Sequence, residues 1–309
     1  MILSVSRRTD IPAFYSDWFY NRIKEGYVYV RNPMNIHQVS KIEINPNVVD
    51  CIVFWTKNPQ KMLSRLNELI DYNYYFQFTI NPYDKLLELN VPKKNNIIDT
   101  FKALSDTIGN NKVIWRYDPI LLSHNVDTNY HIKYFEEIAK RLSSFTNKCT
   151  ISFIDNYKKT ERNLDGTGSK ELTDNEIIFL SRELVKIASS YDIEIQTCAE
   201  KIDLETIGVK QGRCIDNVII EDIVGYQLET KKDKNQRSEC GCIESIDIGE
   251  YNTCSHNCLY CYANFNKEQV KQKIEKHNPL SPLLIGNVTN KDIIKERCVA
   301  SLRKKGLFE

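Results

Sequence analysis

The sequence predicts an α/β fold, a partial (β/α) barrel of the TIM type, from three observations. Short apolar runs rich in β-branched and aromatic residues alternate through residues 1–200 with longer segments whose apolar positions recur every 3.6 residues. Each run ends in polar residues, as strands do where a parallel sheet gathers its carboxyl ends. The 309 residues also fit the ~200–400 that one such barrel occupies.

In chain order, the predicted strands are Ile2 to Ser6, Cys51 to Trp55, Tyr74 to Ile80, Lys112 to Tyr117, Cys149 to Ile154 and Ile193 to Thr197. Helical periodicity covers Pro59 to Leu69, Ile97 to Ile108, Tyr130 to Leu142 and Asn175 to Ser189, with Asp174 placed to cap the last and Leu172 just outside it. Tyr27 to Ile44 breaks the alternation and reads as a hairpin-like insertion. The carboxyl end, DIIKERCVASLRKK, reads as an amphipathic helix packing Ile293, Ile294, Val299 and Leu302. Residues 1–200 form the βα-repeat part, and 201–309 a cysteine-rich part.

The strand exits read SRRTD, FWTKNP, TINPYD, WRYDPI, SFIDNY and QTCAE. A barrel would bring their side chains to one rim: Arg7, Arg8, Asp10, Thr56, Lys57, Asn58, Asn81, Arg116, Asp118, Asp155, Gln196 and Glu200. Prolines at 59, 82 and 119 end three strands and fix φ for the turn that follows. Lys57 and Arg116 follow Phe54, Trp55 and Trp115, so burial there calls for an anionic ligand or an internal carboxylate partner.

Lys and Arg total 42 against 41 Asp and Glu, a net charge of +1. No broadly basic surface is available for phosphate neutralisation, and any nucleic-acid contact must be local. MILSVSRRTDIP lacks a signal pattern, and no segment reaches the ~20 apolar residues of a membrane span. A cytoplasmic protein with no membrane partner is expected.

Cytosolic thiols stay reduced, so ten cysteines point to metal binding or catalysis. Cys51, Cys149 and Cys298 are assigned to the core, whereas the other seven fall between residues 198 and 261. Cys254, Cys258 and Cys261 make C-x3-C-x2-C, a spacing that can hold three irons of a [4Fe-4S] cube and leave the fourth open. Zinc normally closes with four ligands, and His256, inside the loop, is the available fourth. Cys198, Cys214, Cys240 and Cys242 fit a second, fully ligated cluster, a zinc site, or buried free thiols.

The string CSHNCLYCYAN, with Tyr260 directly before the last cysteine, resembles the signature of radical S-adenosylmethionine enzymes, most nearly the spore photoproduct lyase and DNA-repair-photolyase-like branch. From SRRTDIPAF through FWTKNP and RYDP to the late cysteines, the chain also resembles an uncharacterised bacterial family described only as a domain of unknown function. The first resemblance implies that Cys254, Cys258 and Cys261 ligate a [4Fe-4S] cluster whose open iron takes the amino and carboxylate groups of S-adenosylmethionine. Reduction, by a donor such as ferredoxin or flavodoxin, would release a 5′-deoxyadenosyl radical that abstracts hydrogen from a small-molecule or nucleotide-like substrate. Arg7, Arg8, Asp10, Lys57, Arg116 and Asp118 would then be the catalytic set, with Tyr260, Thr56, Asn58, Asn81, Gln196 and Glu200 around the cofactor.

In typical members of that superfamily the cysteine loop follows the first strand, whereas here it starts at residue 254. A circular permutation reconciles the two, with Ser245 to Glu250 as the strand before the loop, Asn264 to Lys276 as the helix after it, and 201–309 as an iron-sulfur module completing the barrel. The usual glycine-glycine-glutamate motif is not visible, which leaves its task to Thr56, Lys57 or the SRRTD turn. KKDKNQR at 231–237 reads as a solvated loop or a phosphate contact, and Trp18, Trp55, Tyr83 and Tyr117 as core anchors or base-stacking groups. Competing functions are a non-catalytic iron-sulfur electron-transfer or redox-sensing protein, and a zinc-stabilised nucleic-acid-binding module.

Overall fold

A computed structural model of the chain describes residues 1–155 and 158–305. Strand β1 (Ile2–Val5) leads into helices α1 (Ile11–Phe14) and α2 (Ser16–Glu25), then a hairpin of β2 (Tyr27–Asn32) and β3 (Asn35–Glu43). β4 (Cys51–Thr56), a 3₁₀ helix over Gln60–Leu69, β5 (Tyr74–Thr79), α3 (Lys94–Ile108), β6 (Val113–Ile120), α4 (Thr128–Leu142) and β7 (Lys148–Phe153) follow. Next come α5 (Lys158–Leu164), α6 (Asp174–Ser189), β8 (Glu194–Cys198), β9 (Lys210–Gly212), α7 (Asn217–Val224), β10 (Ile246–Asp247), α8 (Lys267–Glu275) and β11 (Ile293–Arg297).

Eight strands form one sheet in the order β10-β1-β4-β5-β6-β7-β8-β9, and every neighbouring pair is parallel. All six predicted strands lie in it. β1 is buried at each position, as expected of a strand covered on both faces. The two-residue period of the strands sorts their side chains into two cores. Ile2, Cys51, Val53, Tyr75 and Ile114 pack with Ile215, Ile219, Ile220, Leu228 and Ile243 from residues 215–243. Leu3, Ile52, Phe54, Phe76 and Trp115 point the other way, into the larger core with Phe101 of α3, Phe135 of α4 and Leu180 of α6. Trp115 stacks on Phe135 with ring centroids 4.7 Å apart. The parallel sheet is thus flanked by helices on one face and by residues 215–243 on the other, an arrangement compatible with a partial barrel.

The hairpin forms as expected, with β2 antiparallel to β3. Its third strand corrects the carboxyl-terminal expectation: residues 293–297 are extended and pair in parallel with β3. Adjacent β-branched Ile293 and Ile294 suit an extended backbone, and both stay exposed, at 58% and 41%. Val299 still packs on the larger core and Leu302 on the smaller, while Cys298 is exposed rather than buried. The segment over 60–69 winds as a 3₁₀ helix, still turning Met62, Leu66 and Leu69 inward. α6 begins one residue earlier than expected: Thr173, not Asp174, is its cap, in a capping box with Glu176. The strand expected over Ser245 to Glu250 shortens to β10, and the following helix to α8, capped by Asn266. Among the described residues no helix is long and apolar enough to cross a membrane.

Candidate metal and cofactor site at the strand ends

A cavity of about 420 Å³ opens at the carboxyl ends of the strands. Arg7, Arg8 and Asp10 border it from the β1 exit, Thr56 and Lys57 from β4, and Arg116 and Asp118 from β6. Cys254, Cys258, Tyr260 and Cys261 border it from the loop after β10, and Cys198, Cys214, Cys240 and Cys242 from the β8–β9 side. Residues scattered over the whole chain therefore share one wall.

The β1 exit is locked to the edge strand by Asp247. Its carboxylate accepts hydrogen bonds from Ser4 Oγ (3.1 Å), Ser6 Oγ (2.5 Å), the Arg7 amide (2.9 Å) and the Gly249 amide (2.9 Å). Gly249 permits this approach, because a Cβ there would sit 2.0 Å from Ser6 Oγ. Asp10 ties the next two pieces together. It accepts from Ala13 N (3.0 Å), capping α1, and from Thr56 Oγ1 and Lys57 N at the end of β4, both at 2.7 Å. Its Oδ2 also lies 2.9 Å from Nε2 of His256, inside the cysteine loop.

The loop is held on several sides. Asn90 N donates to His256 O (3.0 Å), Leu259 N to Leu87 O (2.9 Å) and Tyr15 Oη to Thr253 O (2.6 Å). Asn252 closes its base, accepting from Phe265 N (2.9 Å) and Asn266 N (3.2 Å). Burial pushes the Cys254 and Cys261 thiols up, and that of Cys258 up to about 12 although Lys57 pulls it down. Thiols so placed stay protonated at neutral pH until a metal displaces the proton.

Beside the loop lies a buried charge network. Lys57 Nζ is 2.8 Å from Glu88 Oε1, while Lys94 and the Tyr260 hydroxyl also donate to that carboxylate. Burial alone would push Glu88 up, but the two ammonium groups outweigh it and hold the carboxyl at about 2. Three other rim cations have carboxylate partners too, Arg116 with Asp118, Arg237 with Asp155, and Arg7 with Asp233 at 3.7 Å, whereas Arg8 lies over the Tyr251 ring, 5.2 Å from its centroid. Internal acids thus answer Lys57 and Arg116, the two charges that the sequence leaves open.

Thr9 Oγ1 and His256 Nδ1 are different. Both belong to buried cavity-wall residues and have no hydrogen-bond partner among the described residues. Buried polar atoms call for a partner, which at this wall a water or a polar ligand can supply. With three thiols beside them, the donor set fits an iron-sulfur cluster carrying a polar ligand.

On the other side of the cavity, Cys198 Sγ lies 2.8 Å from Cys214 Sγ, and the Cys242 thiol interacts with those of Cys214 and Cys240. Hydrogen bonds from Cys214 push the Cys198 and Cys242 thiols down. The four run in a chain of contacts, and among the described residues no three His, Cys, Asp or Glu side chains surround a common ion position.

Four sequence-predicted residues do not border the cavity. Asn81 is spent between strand ends, donating to Asp118 O (2.8 Å) and Tyr260 Oη (3.1 Å), and Gln196 donates to Thr150 Oγ1 (2.9 Å) within the sheet. Asn58 turns back on its own loop, its amide donating to Thr56 Oγ1 (3.0 Å). Glu200 accepts from Phe153 N (2.9 Å), and burial pushes its carboxyl up to about 7. Of the four aromatics considered, only Trp55 borders the cavity, and Trp18, Tyr83 and Tyr117 are core. The basic run is not simply solvated, since its Asp233 is buried and Arg237 reaches the cavity wall. Sequence reasoning missed Thr9, Asp247 and the structural role of His256. Thr9 lay within the SRRTD string, whereas Asp247 carried no local signal.

Comparison with family profiles matches residues 2–263 to a domain of unknown function (DUF1848). The chain belongs to this DUF1848 family. The DUF1848 region runs from β1 to just past Cys261, encloses all seven cysteines of the two sets, and leaves out α8 and β11. No curated protein matches the chain.

Proposed function

We propose that this chain is a radical S-adenosylmethionine enzyme, in which Cys254, Cys258 and Cys261 hold a [4Fe-4S] cluster and the cavity at the strand ends receives S-adenosylmethionine and substrate. One observation carries the reading: the three thiols of a C-x3-C-x2-C loop border the same cavity as the exits of β1, β4 and β6. The strand order supports the permuted form of the barrel, because β10, which precedes the loop, pairs with β1. When bound, the cluster would supply the electron that cleaves S-adenosylmethionine, taken from a reductant such as ferredoxin or flavodoxin.

The protein's own residues position and insulate that chemistry. Lys57 sits 5.6 Å from the Tyr260 ring centroid and attracts the Cys258 thiolate, offsetting part of the ligand charge. The Thr56 hydroxyl is committed to Asp10 and the Lys57 ammonium to Glu88, which leaves the SRRTD turn to receive the methionine end. There, Thr9 offers its unpartnered hydroxyl to the amino group and Arg8 its guanidinium to the carboxylate. Pro119, Phe153 and Ile154 supply apolar wall that limits water. The pairing of Lys57, Arg7, Arg116 and Arg237 with internal acids and the net charge of +1 favour a small or nucleotide-like substrate over an extended polyanion.

The test is incubation of anaerobically reconstituted, reduced protein with S-adenosylmethionine. Formation of 5′-deoxyadenosine is expected, and Cys258→Ala should abolish it. An intact, reducible cluster with no product would leave an electron-transfer or redox-sensing protein instead. Zinc without iron or sulfide would leave the zinc-stabilised module.

A further inference from the structure

The second cysteine set is gathered from three separate stretches of chain: Cys198 ends β8, Cys214 follows β9, and Cys240 and Cys242 lie on the return toward β10. Bringing four thiols together gains little by itself, since sulfur is a weak donor and acceptor. Here Cys198 and Cys214 are 2.8 Å apart at sulfur, and Cys242 interacts with both Cys214 and Cys240. All four are free thiols. Positive groups face them: Arg116 Nη1 donates to Cys214 Sγ at 2.8 Å, the Ile215 amide donates to Cys242 Sγ at 3.4 Å, and the Arg7 guanidinium attracts Cys242. Cationic and amide donors aimed at sulfur are what a set of metal-bound thiolates requires, because four thiolates carry more charge than the metal returns.

We propose that Cys198, Cys214, Cys240 and Cys242 form a second metal centre, a fully ligated iron-sulfur cluster on the β8–β9 side of the cavity. Cys198 and Cys214 already meet at sulfur, and Cys240 and Cys242 border the same cavity. The donor set contains sulfur alone, which selects zinc or iron-sulfur over harder metals. All four residues border the cavity of about 420 Å³, which is larger than a single metal ion requires. The C-x-C spacing also departs from the paired C-x2-C knuckles of common zinc sites. A cluster with all irons ligated by protein cannot bind substrate through an open iron, and its role is to store or pass electrons into the shared cavity.

The inference rests on residues other than the Cys254 loop, and it is tested by reconstituting three proteins anaerobically with ferrous iron and sulfide. Wild type should hold about eight irons and eight sulfides per chain, as two cubes require. The triple variant Cys254→Ser/Cys258→Ser/Cys261→Ser should keep about four of each and a reducible paramagnetic centre. The quadruple variant Cys198→Ser/Cys214→Ser/Cys240→Ser/Cys242→Ser should also keep about four. Far-UV circular dichroism identifies any variant that has not folded, and the wild-type count stands without either variant. A folded triple variant with one zinc and no sulfide, or with no metal, overturns the second cluster; about four irons in wild type that the triple variant keeps and the quadruple variant lacks overturn the Cys254-loop cluster instead. An eight-iron protein that makes no 5′-deoxyadenosine would instead overturn the enzyme reading alone.

Discussion

His131 is fully buried in α4, with Nδ1 2.8 Å from the Tyr117 hydroxyl and Nε2 2.8 Å from the Leu121 carbonyl. Burial brings its pKa down to about 4, from an ordinary value near 6.5. The unfolded chain therefore takes up a proton between pH 6.5 and 4 that the folded chain refuses, and stability falls as pH drops through that window. The expected loss is about 3 kcal/mol, read from urea midpoints across pH, and His131→Gln should flatten this part of the profile. A wild-type midpoint constant from pH 7 to 4 would contradict the assignment. Other single residues show where sequence reading stops. Asp10 was legible as a rim residue from its place after β1, but its four hydrogen-bond partners come from three elements up to 246 positions away. Its carboxylate is spent on holding the rim together, and nothing local in SRRTD announces that.

At the scale of elements, β9 is three residues long and pairs with β8 so closely that a Cβ on Gly212 would sit 2.6 Å from the Thr197 carbonyl oxygen. Backbone cannot yield as a side-chain tip can, so Gly212→Ala should prise β9 from β8 and carry Cys214 away from Cys198. The expected cost is about 1–3 kcal/mol, seen in thermal unfolding, together with loss of the iron assigned to the second cluster. An unchanged melting temperature would show that the edge adapts freely. The strands with continuous apolar burial and the long amphipathic helices were legible because burial dictates their pattern. The carboxyl-terminal strand was not: DIIKER carries helical spacing and β-branched residues together, and pairing with β3 decided between them. β9 and β10 were hidden or blurred by brevity, since two or three residues show no period.

Across the whole molecule, the sheet's two cores are built almost entirely from apolar side chains, and the sites lie at one end of it. Metal removal should therefore lower stability without dissolving the fold. Protein stripped by a chelator under reducing conditions is expected to keep its far-UV circular dichroism and a cooperative, earlier thermal transition. Collapse of the sheet signal would mean that metal determines the architecture. The convergence of exits on one cavity was legible from polar residues after every strand, but the covering of one sheet face by residues 215–243 was not, because only the assembled sheet reveals which apolar run is left to cover it. β10 is the strand that covers the free edge of β1, and it is made late. During synthesis the seven strands β1 and β4 to β9 can assemble while residues 246–261 are still inside the ribosome, at ~5–20 residues per second. A nascent or truncated chain at that stage offers bare backbone donors and acceptors along β1, a template for pairing with another copy. The same late stretch of chain therefore carries both the strand that covers this edge and the loop that brings three thiols to the cavity.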